Sequence, residues 1–339
     1  MIIGYILRRL GLSLLVLLGA VTVTFILAHL ISIDPVTAWL GKAASVSPAL
    51  AAVYVKEYHL HDALYVQYFY YINGLIHLQL GYSPTRAEPI VLVISQTLPY
   101  TLQLIFIAMI ITPVIGVAGG ILSAKYPDGI LEKVIKTSYI ASTAAPPFLV
   151  PLLLLLIFAS LVHAMPTSGA ISSQVNLPYS ITDIPMVDAL IEGNWTAFLS
   201  LLQHAILPSL SIALALYGFL TRVLSSSIKD ILGSNFVKAA RARGISNNII
   251  LFRYGLKNSL LQVITVTALI LTFALIVDVF VENIFSYPGM GQYAVFATES
   301  FDYPGILATT IVYAAMIVLV NLTADVLYFV VDPRVRHQS

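Results

Sequence analysis

The feature that most constrains this 339-residue chain is a 24-residue run, Leu10 to Ile33, that carries no formal charge. A hydrocarbon core of about 30 Å takes roughly 20 apolar helical residues to cross, so this one run already selects lipid as the solvent. It is too long for the apolar region of a signal peptide and lacks a small-residue cleavage site, and it reads as a retained span. Five similar windows follow, and the six lie at approximately 10–33, 97–124, 137–162, 203–224, 258–281 and 305–330. The fifth is free of acids only to Val277, because Asp278 and Glu282 follow, and the sixth contains Asp325. Composition agrees: 59% of residues are hydrophobic and 10% charged, against roughly 45–50% and 25% in soluble domains. The expected fold is an all-α membrane protein of six transmembrane helices.

Orientation follows from the cations, because Lys and Arg next to spans are retained on the cytoplasmic side. With both ends inside, the inner segments hold Arg8 and Arg9; Lys125, Lys133 and Lys136; Arg222, Lys229, Lys238, Arg241, Arg243, Arg253 and Lys257; then Arg334 and Arg336. These are 14 of the 17 Lys and Arg. Only Lys42, Lys56 and Arg86 fall outside. A net charge of +1 gives no basic field for a phosphate backbone, so nucleic acid is not an expected partner. The absence of cysteine removes disulfides, thiolate metal sites and a cysteine nucleophile together.

The chain divides into a tail and first span (1–33), an external segment (34–96) and a core (97–339) containing the other five spans and an inside loop at about 225–257. In the external segment, Tyr65, Tyr68, Phe69, Tyr70 and Tyr71 suit short interfacial helices, with rings in hydrocarbon and hydroxyls in water. Anchoring and substrate contact are both open for them. Segment 164–200 is expected to be an extended external loop, because Pro166, Gly169, Pro178 and Pro185 break any long helix. Pro113 predicts a kink in the second span, and Pro146, Pro147 and Pro151 predict kinks in the third. Carbonyls freed there must face protein or a wet cavity, which makes Pro146, Pro147 and Phe148 candidates to line a pathway. A packing kink is the alternative.

The inside stretch from Asn235 to Asn258 carries the clearest mechanism. Ala239, Ala240 and Ala242, set between long basic side chains, favour a short helix, and Gly244 can take the left-handed conformation that ends one. Small residues let another backbone approach, and Phe236 can enter a pocket. The segment is therefore shaped as a knob for another protein, and a plain solvated basic loop is the competing reading.

Lys238-Ala239-Ala240, then Arg241-Ala242-Arg243-Gly244, resembles the EAA loop of ABC-transporter permeases, the coupling helix that docks in a groove of the ATPase. With Tyr254-Gly-Leu-Lys-Asn258 added, the stretch is similar to the first permease subunit of the dipeptide/oligopeptide and nickel branch. Further blocks extend the resemblance nearly end to end: Tyr5–Leu10 with Arg8-Arg9, Leu60–Tyr68, Leu80–Ser83, Leu98–Leu102, Val281–Gly291, Asp302-Tyr303-Pro304, Asn321-Leu322 with Asp325 and Tyr328, and Asp332-Pro333-Arg334. Some positions depart from the pattern. Lys238 replaces the acid that names the loop, Pro147 and Pro151 replace small residues, Gln262 replaces a proline, and Asp278 replaces a small uncharged residue.

The resemblance implies a type I ABC importer permease fold with an external helical insertion between spans 1 and 2, multi-pass in the inner membrane. It implies these partners: a second homologous permease, two ABC ATPase subunits and an extracytoplasmic solute-binding protein, all within membrane lipid. No cofactor is then bound by this chain, and ATP and Mg²⁺ sit on the ATPases. The ATPase-coupling set is Phe236, Lys238, Ala239, Ala240, Arg241, Ala242, Arg243 and Gly244. The implied function is ATP-driven, binding-protein-dependent import of di- or oligopeptides by alternating access, with oligosaccharides or nickel chelates as alternative cargo.

The residues themselves support a transport subunit over an enzyme. The chain lacks GxxxxGK[ST], so ATP energy must come from a separate protein, and no GxSxG elbow or nucleophile–base pair lies in a span. A membrane-embedded enzyme or a self-contained channel would need such groups. The seven histidines form no metal-ligand motif. Asp278 and Glu282 are four apart, on one helix face, and carboxylates at that depth need donors or a wet cavity. They either clamp amides of the following external turn, with Phe285, Pro288, Gly289 and Gly291, or face the pathway at its outer gate. Asp325 and Asn321 are expected to tie helices together, Gly116 and Gly120 to allow close helix packing, and Asn194-Trp-Thr196 is an external glycosylation sequon.

Overall fold

The computed structural model describes residues 2–31, 52, 55–56 and 59–331. The blocks at Asp332–Arg334, the cation at Arg336 and most of the segment from 32 to 58 lie outside the described residues, as does the side chain of Asp325. α1 (Ile2–Ile31) leads to α2 (Leu64–Ile76) and a short antiparallel hairpin, β1 (Tyr82–Ser83) with β2 (Glu88–Pro89), in which Ser83 pairs with Glu88. α3 (Ile90–Lys125), α4 (Ile130–Ala144) and α5 (Leu149–Leu154) follow, α5 continuing as a π-helical turn over Leu155–Leu161. Then come α6 (Pro185–Glu192), α7 (Trp195–Leu232), α8 (Asn235–Ala242) and α9 (Asn247–Ile249), which runs through a π-helical Ile250–Leu256 into α10 (Lys257–Ile284). α11 (Met290–Glu299) and α12 (Tyr303–Val331) complete the fold.

Among the described residues, α1, α3, α7, α10 and α12 are each long and apolar enough to cross a bilayer. The third expected span is different. Its two halves, α4 and α5, meet at 115°, so the window 137–162 is a broken pair and not one kinked helix. The cause is local. Ala145 precedes a proline and is held extended, at φ −69° and ψ 138°, and Pro146 and Pro147 bring no amide to continue the ladder.

The helices outrun the charge-free windows because flanking cations end the hydrocarbon segment without ending the helix. α7 has 38 residues, about 57 Å at 1.5 Å per residue, and it carries the chain through Leu232. The inside segment 225–257 is consequently mostly helical. Segment 164–200 is also corrected. Pro185 sits in the first turn of α6, where no amide is needed, Gly193 ends that helix at φ +71°, and Asn194 Oδ1 accepts the Ala197 amide at 3.0 Å to cap α7. The sequon asparagine is thus a helix cap.

α7 is the central helix. Leu207, Ile212, Leu216 and Leu220 bury themselves against Leu104 and Ala108 of α3 and Ile270, Ala274 and Val277 of α10. By contrast, Leu14, Leu15 and Val16 of α1 are 62–65% exposed, a face suited to lipid. α3 and α7 touch because Gly116 and Gly120 have no side chain, and a Cβ on either would lie 2.9 Å from Leu220 or Leu224. Gly218 does the same for α4, since its Cβ would stand 2.7 Å from the Tyr139 carbonyl oxygen. Backbone cannot yield as a side chain tip can. Gly218→Ala is therefore expected to lose about 1–3 kcal/mol, read as a lower thermal midpoint in detergent.

Candidate functional site

The inner site is built on α8. Val237 and Ala240 point into the chain, at 0% and 5% exposure, and fix the helix from behind. The opposite face, with Phe236 (52% exposed), Lys238, Ala239, Arg241, Ala242 and Arg243, is open. Gly244 has φ +77° with empty space around it, so the position needs glycine for its backbone conformation and not for packing. Its amide donates to the Arg241 carbonyl (2.9 Å) and the Ile245 amide to the Ala240 carbonyl (3.2 Å), the paired bonds of a Schellman stop. Of the eight residues expected to form a knob, Ala240 is the one whose side chain faces inward. Phe236 leans toward Tyr254, ring centroids 6.2 Å apart, and flanks a groove of about 720 Å³ lined by Arg222, Ser226, Asp230, Asn258 and Gln262.

The outer site is a buried clamp at the end of α10. Glu282 is fully buried. Its Oε1 accepts Thr101 Oγ1 at 2.5 Å and its Oε2 the Gln292 amide at 3.0 Å, while Thr101 Oγ1 accepts the Met290 amide at 2.8 Å. One carboxylate thereby joins α3, α10 and the start of α11. Gly289 and Gly291 permit it: a Cβ on Gly289 would fall on the Glu282 carboxylate, and one on Gly291 would lie 2.7 Å from Val279 Cα. Phe285 and Tyr287 are buried in the core beside the turn, and Gln103 Nε2 donates to Tyr287 Oη at 2.8 Å. One turn back, Asp278 is also fully buried and faces Glu282 and Tyr313 without meeting either in good hydrogen-bond geometry.

The contacts of Glu282 are those of the clamp reading, and neither carboxylate has accessible surface in this conformation; the pathway reading is decided by uptake. Asp278→Asn is accordingly expected to leave the substrate concentration for half-maximal uptake unchanged, and a selective rise in that concentration would restore the alternative. Pro146, Pro147 and Phe148 are exposed at the break between α4 and α5. Asn321 Oδ1 accepts from Thr272 Oγ1 at 3.3 Å, tying α12 to α10.

Sequence reasoning missed the donors. Thr101 stands 181 positions from Glu282, and no local pattern links them. It also missed a further buried carboxylate: Asp302 accepts from Ser83 Oγ, from Thr85 Oγ1 at 2.6 Å and from the Gly305 amide at 3.0 Å, latching the hairpin onto the start of α12.

Residues 116–337 match the family described as the binding-protein-dependent transport system inner membrane component. The chain belongs to that family. This permease is an inner-membrane component of a transporter and not an enzyme, and its system includes a binding protein and ATPase subunits. It is 33% identical over 321 residues, 95% of this chain and 94% of the relative, to the probable D,D-dipeptide transport system permease protein DdpB of Escherichia coli K12. It is 32% identical over 335 residues to the oligopeptide transport system permease protein AppB of Bacillus subtilis 168, covering 98% of this chain and 99% of AppB. The dipeptide permease DppB of E. coli K12 is 31% identical over 337 residues, covering 99% of each. In fold, the permease resembles a chain of the inward-facing MetNI methionine ABC transporter, with TM-score 0.53 and 13% identity over 72% of this chain and 99% of that one.

Proposed function

We propose that this permease forms half of the translocation pathway of an ATP-driven importer of di- or oligopeptides. It pairs with a second, related permease, and two ATPases bind ATP and Mg²⁺ beneath them. An extracytoplasmic solute-binding protein delivers cargo to the outer face. The observation that carries the cargo assignment is near-full-length similarity to the dipeptide and oligopeptide permeases.

The coupling reading rests on the geometry of α8, a helix with a buried anchor in Val237 and Ala240 and an opposite face that the described residues leave exposed. Closure of the ATPases moves α8, and α7 and α10 carry the movement toward the outer clamp, exchanging inward for outward access. Pro146, Pro147 and Phe148, exposed at the break, are the part of the third window assigned to the pathway wall.

The test is uptake of labelled dipeptides, tripeptides, oligosaccharides and nickel chelates by vesicles containing the whole transporter, with the binding protein outside and ATP inside. ATP-dependent accumulation of peptides supports the assignment. Accumulation of a sugar or chelate but no peptide overturns the cargo while leaving the machinery in place.

A further inference from the structure

A second cavity, of about 710 Å³, lies at the inner ends of α3 and α7 and shares Arg241 with the open face of α8. Its charged lining is entirely basic: Lys125, Lys229 and Arg241. Lys229 donates to the Glu132 carboxylate. Lys125 and Arg241 enter no ion pair among the described residues, and Lys125 Nζ instead stands over the Tyr126 ring, 5.4 Å from its centroid. Asn247 and Asn248, both exposed, add side-chain amide donors, while Ala124 and Leu251, at 4% and 3% exposure, form an apolar wall.

Three chemical features therefore meet in one place: uncompensated cations, neutral donors and a hydrocarbon surface. A solvated basic loop needs no cavity, and a free inorganic anion gains nothing from the wall. Depth adds a constraint. Lys125 directly follows the charge-free window 97–124, so the cavity opens where hydrocarbon gives way to headgroups. A phosphodiester carrying a glycerol backbone fits all three features, its phosphate against Lys125 and Arg241 and its glycerol and first acyl carbons against Ala124 and Leu251.

We propose that this cavity binds the headgroup phosphate of an anionic phospholipid from the inner leaflet. Because Arg241 belongs to α8, the bound lipid joins the knob helix to the inner ends of α3 and α7 and holds it against the bilayer surface.

The test uses the complete transporter in nanodiscs of phosphatidylcholine with a minor fraction of phosphatidylglycerol, reading retained lipid by native mass spectrometry. The wild type is expected to retain phosphatidylglycerol selectively. Lys125→Glu combined with Asn248→Asp should weaken that preference by about tenfold or more, since each cation near an anionic surface contributes on that scale. Lys125→Arg should keep it, which separates a lost site from a lost fold. Equal retention by the double variant overturns the proposal. So does displacement of the lipid by inorganic phosphate, which marks a free-anion site, and so does loss of the lipid when the ATPases assemble on the permease pair, which marks the cavity as part of their interface. Uptake is not a readout here, so the cargo assignment stands or falls separately.

Discussion

A carboxylate placed on the open face of α8, as Phe236→Asp or Ala239→Asp, is expected to lower ATP-driven uptake by about a hundredfold or more and leave the permease folded. Two features support that separation. The helix is anchored by Val237 and Ala240, which the substitutions do not touch, and is closed by the Gly244 stop, which they leave in place. What they change is the surface offered to the ATPase. Desolvating an unpaired charge or removing a central aromatic anchor at an interface typically takes away about 2–4 kcal/mol, enough to abolish coupling at ordinary subunit concentrations. Ala240→Asp must behave differently, since its side chain points into the chain and a carboxylate there disrupts the permease itself. The measurement is paired: uptake by the reconstituted transporter, and co-elution of the ATPases with each variant. Normal co-elution and normal uptake by Phe236→Asp and Ala239→Asp together would falsify the docking assignment.

The second large effect is expected at the outer clamp. Gly289→Ala puts a methyl group where the Glu282 carboxylate lies, so the carboxylate must leave the Thr101 hydroxyl and the Gln292 amide that it accepts from. Displacing a buried charge from its donors is destabilising by about 3–5 kcal/mol, a large share of the roughly 5–15 kcal/mol that holds a domain folded. Folded yield should fall sharply, with the remaining protein melting well below the wild type. Thr101→Val tests the same clamp from the other side. It leaves both Glu282 Oε1 and the Met290 amide without Thr101, about 1–3 kcal/mol for each buried group, with no change of backbone. Wild-type melting of both variants would mean that the clamp contributes nothing.

These two sites differ in how legible they were. The knob is local: alanines, a glycine and an exposed aromatic within nine positions determine a short helix, its stop and its open face, and in these the structure agrees with the sequence, while Ala240 points inward. The spacing of Asp278 and Glu282 likewise placed both acids on one helical face. What they meet is set by helix packing, which brings Thr101 of α3 and Tyr313 of α12 to α10 across long stretches of chain, and no local periodicity encodes that.

The same distinction explains the span boundaries. Hydropathy reports where hydrocarbon ends, and helices such as α3 and α7 continue into the water beyond it. Proline positions foretold a disturbance in the third window. Its size, 115°, depends on two adjacent residues lacking amides while the residue before them is held extended, which turns a kink into a break. The short α6 came from a proline that starts a helix as readily as it ends one.

The central claim is that α8 faces the cytoplasm and is covered by an ATPase, and the chain's lack of cysteine allows a background-free test. Single cysteines at Ala242 on the α8 face and at Tyr179, 80% exposed in segment 164–200, are exposed to a membrane-impermeant maleimide. In right-side-out vesicles Tyr179→Cys should label and Ala242→Cys should not. In inverted vesicles the pattern should reverse, and adding the ATPase subunits should protect Ala242→Cys. Labelling of Ala242→Cys from the outer side, or full labelling from the inner side with the ATPases bound, contradicts the account.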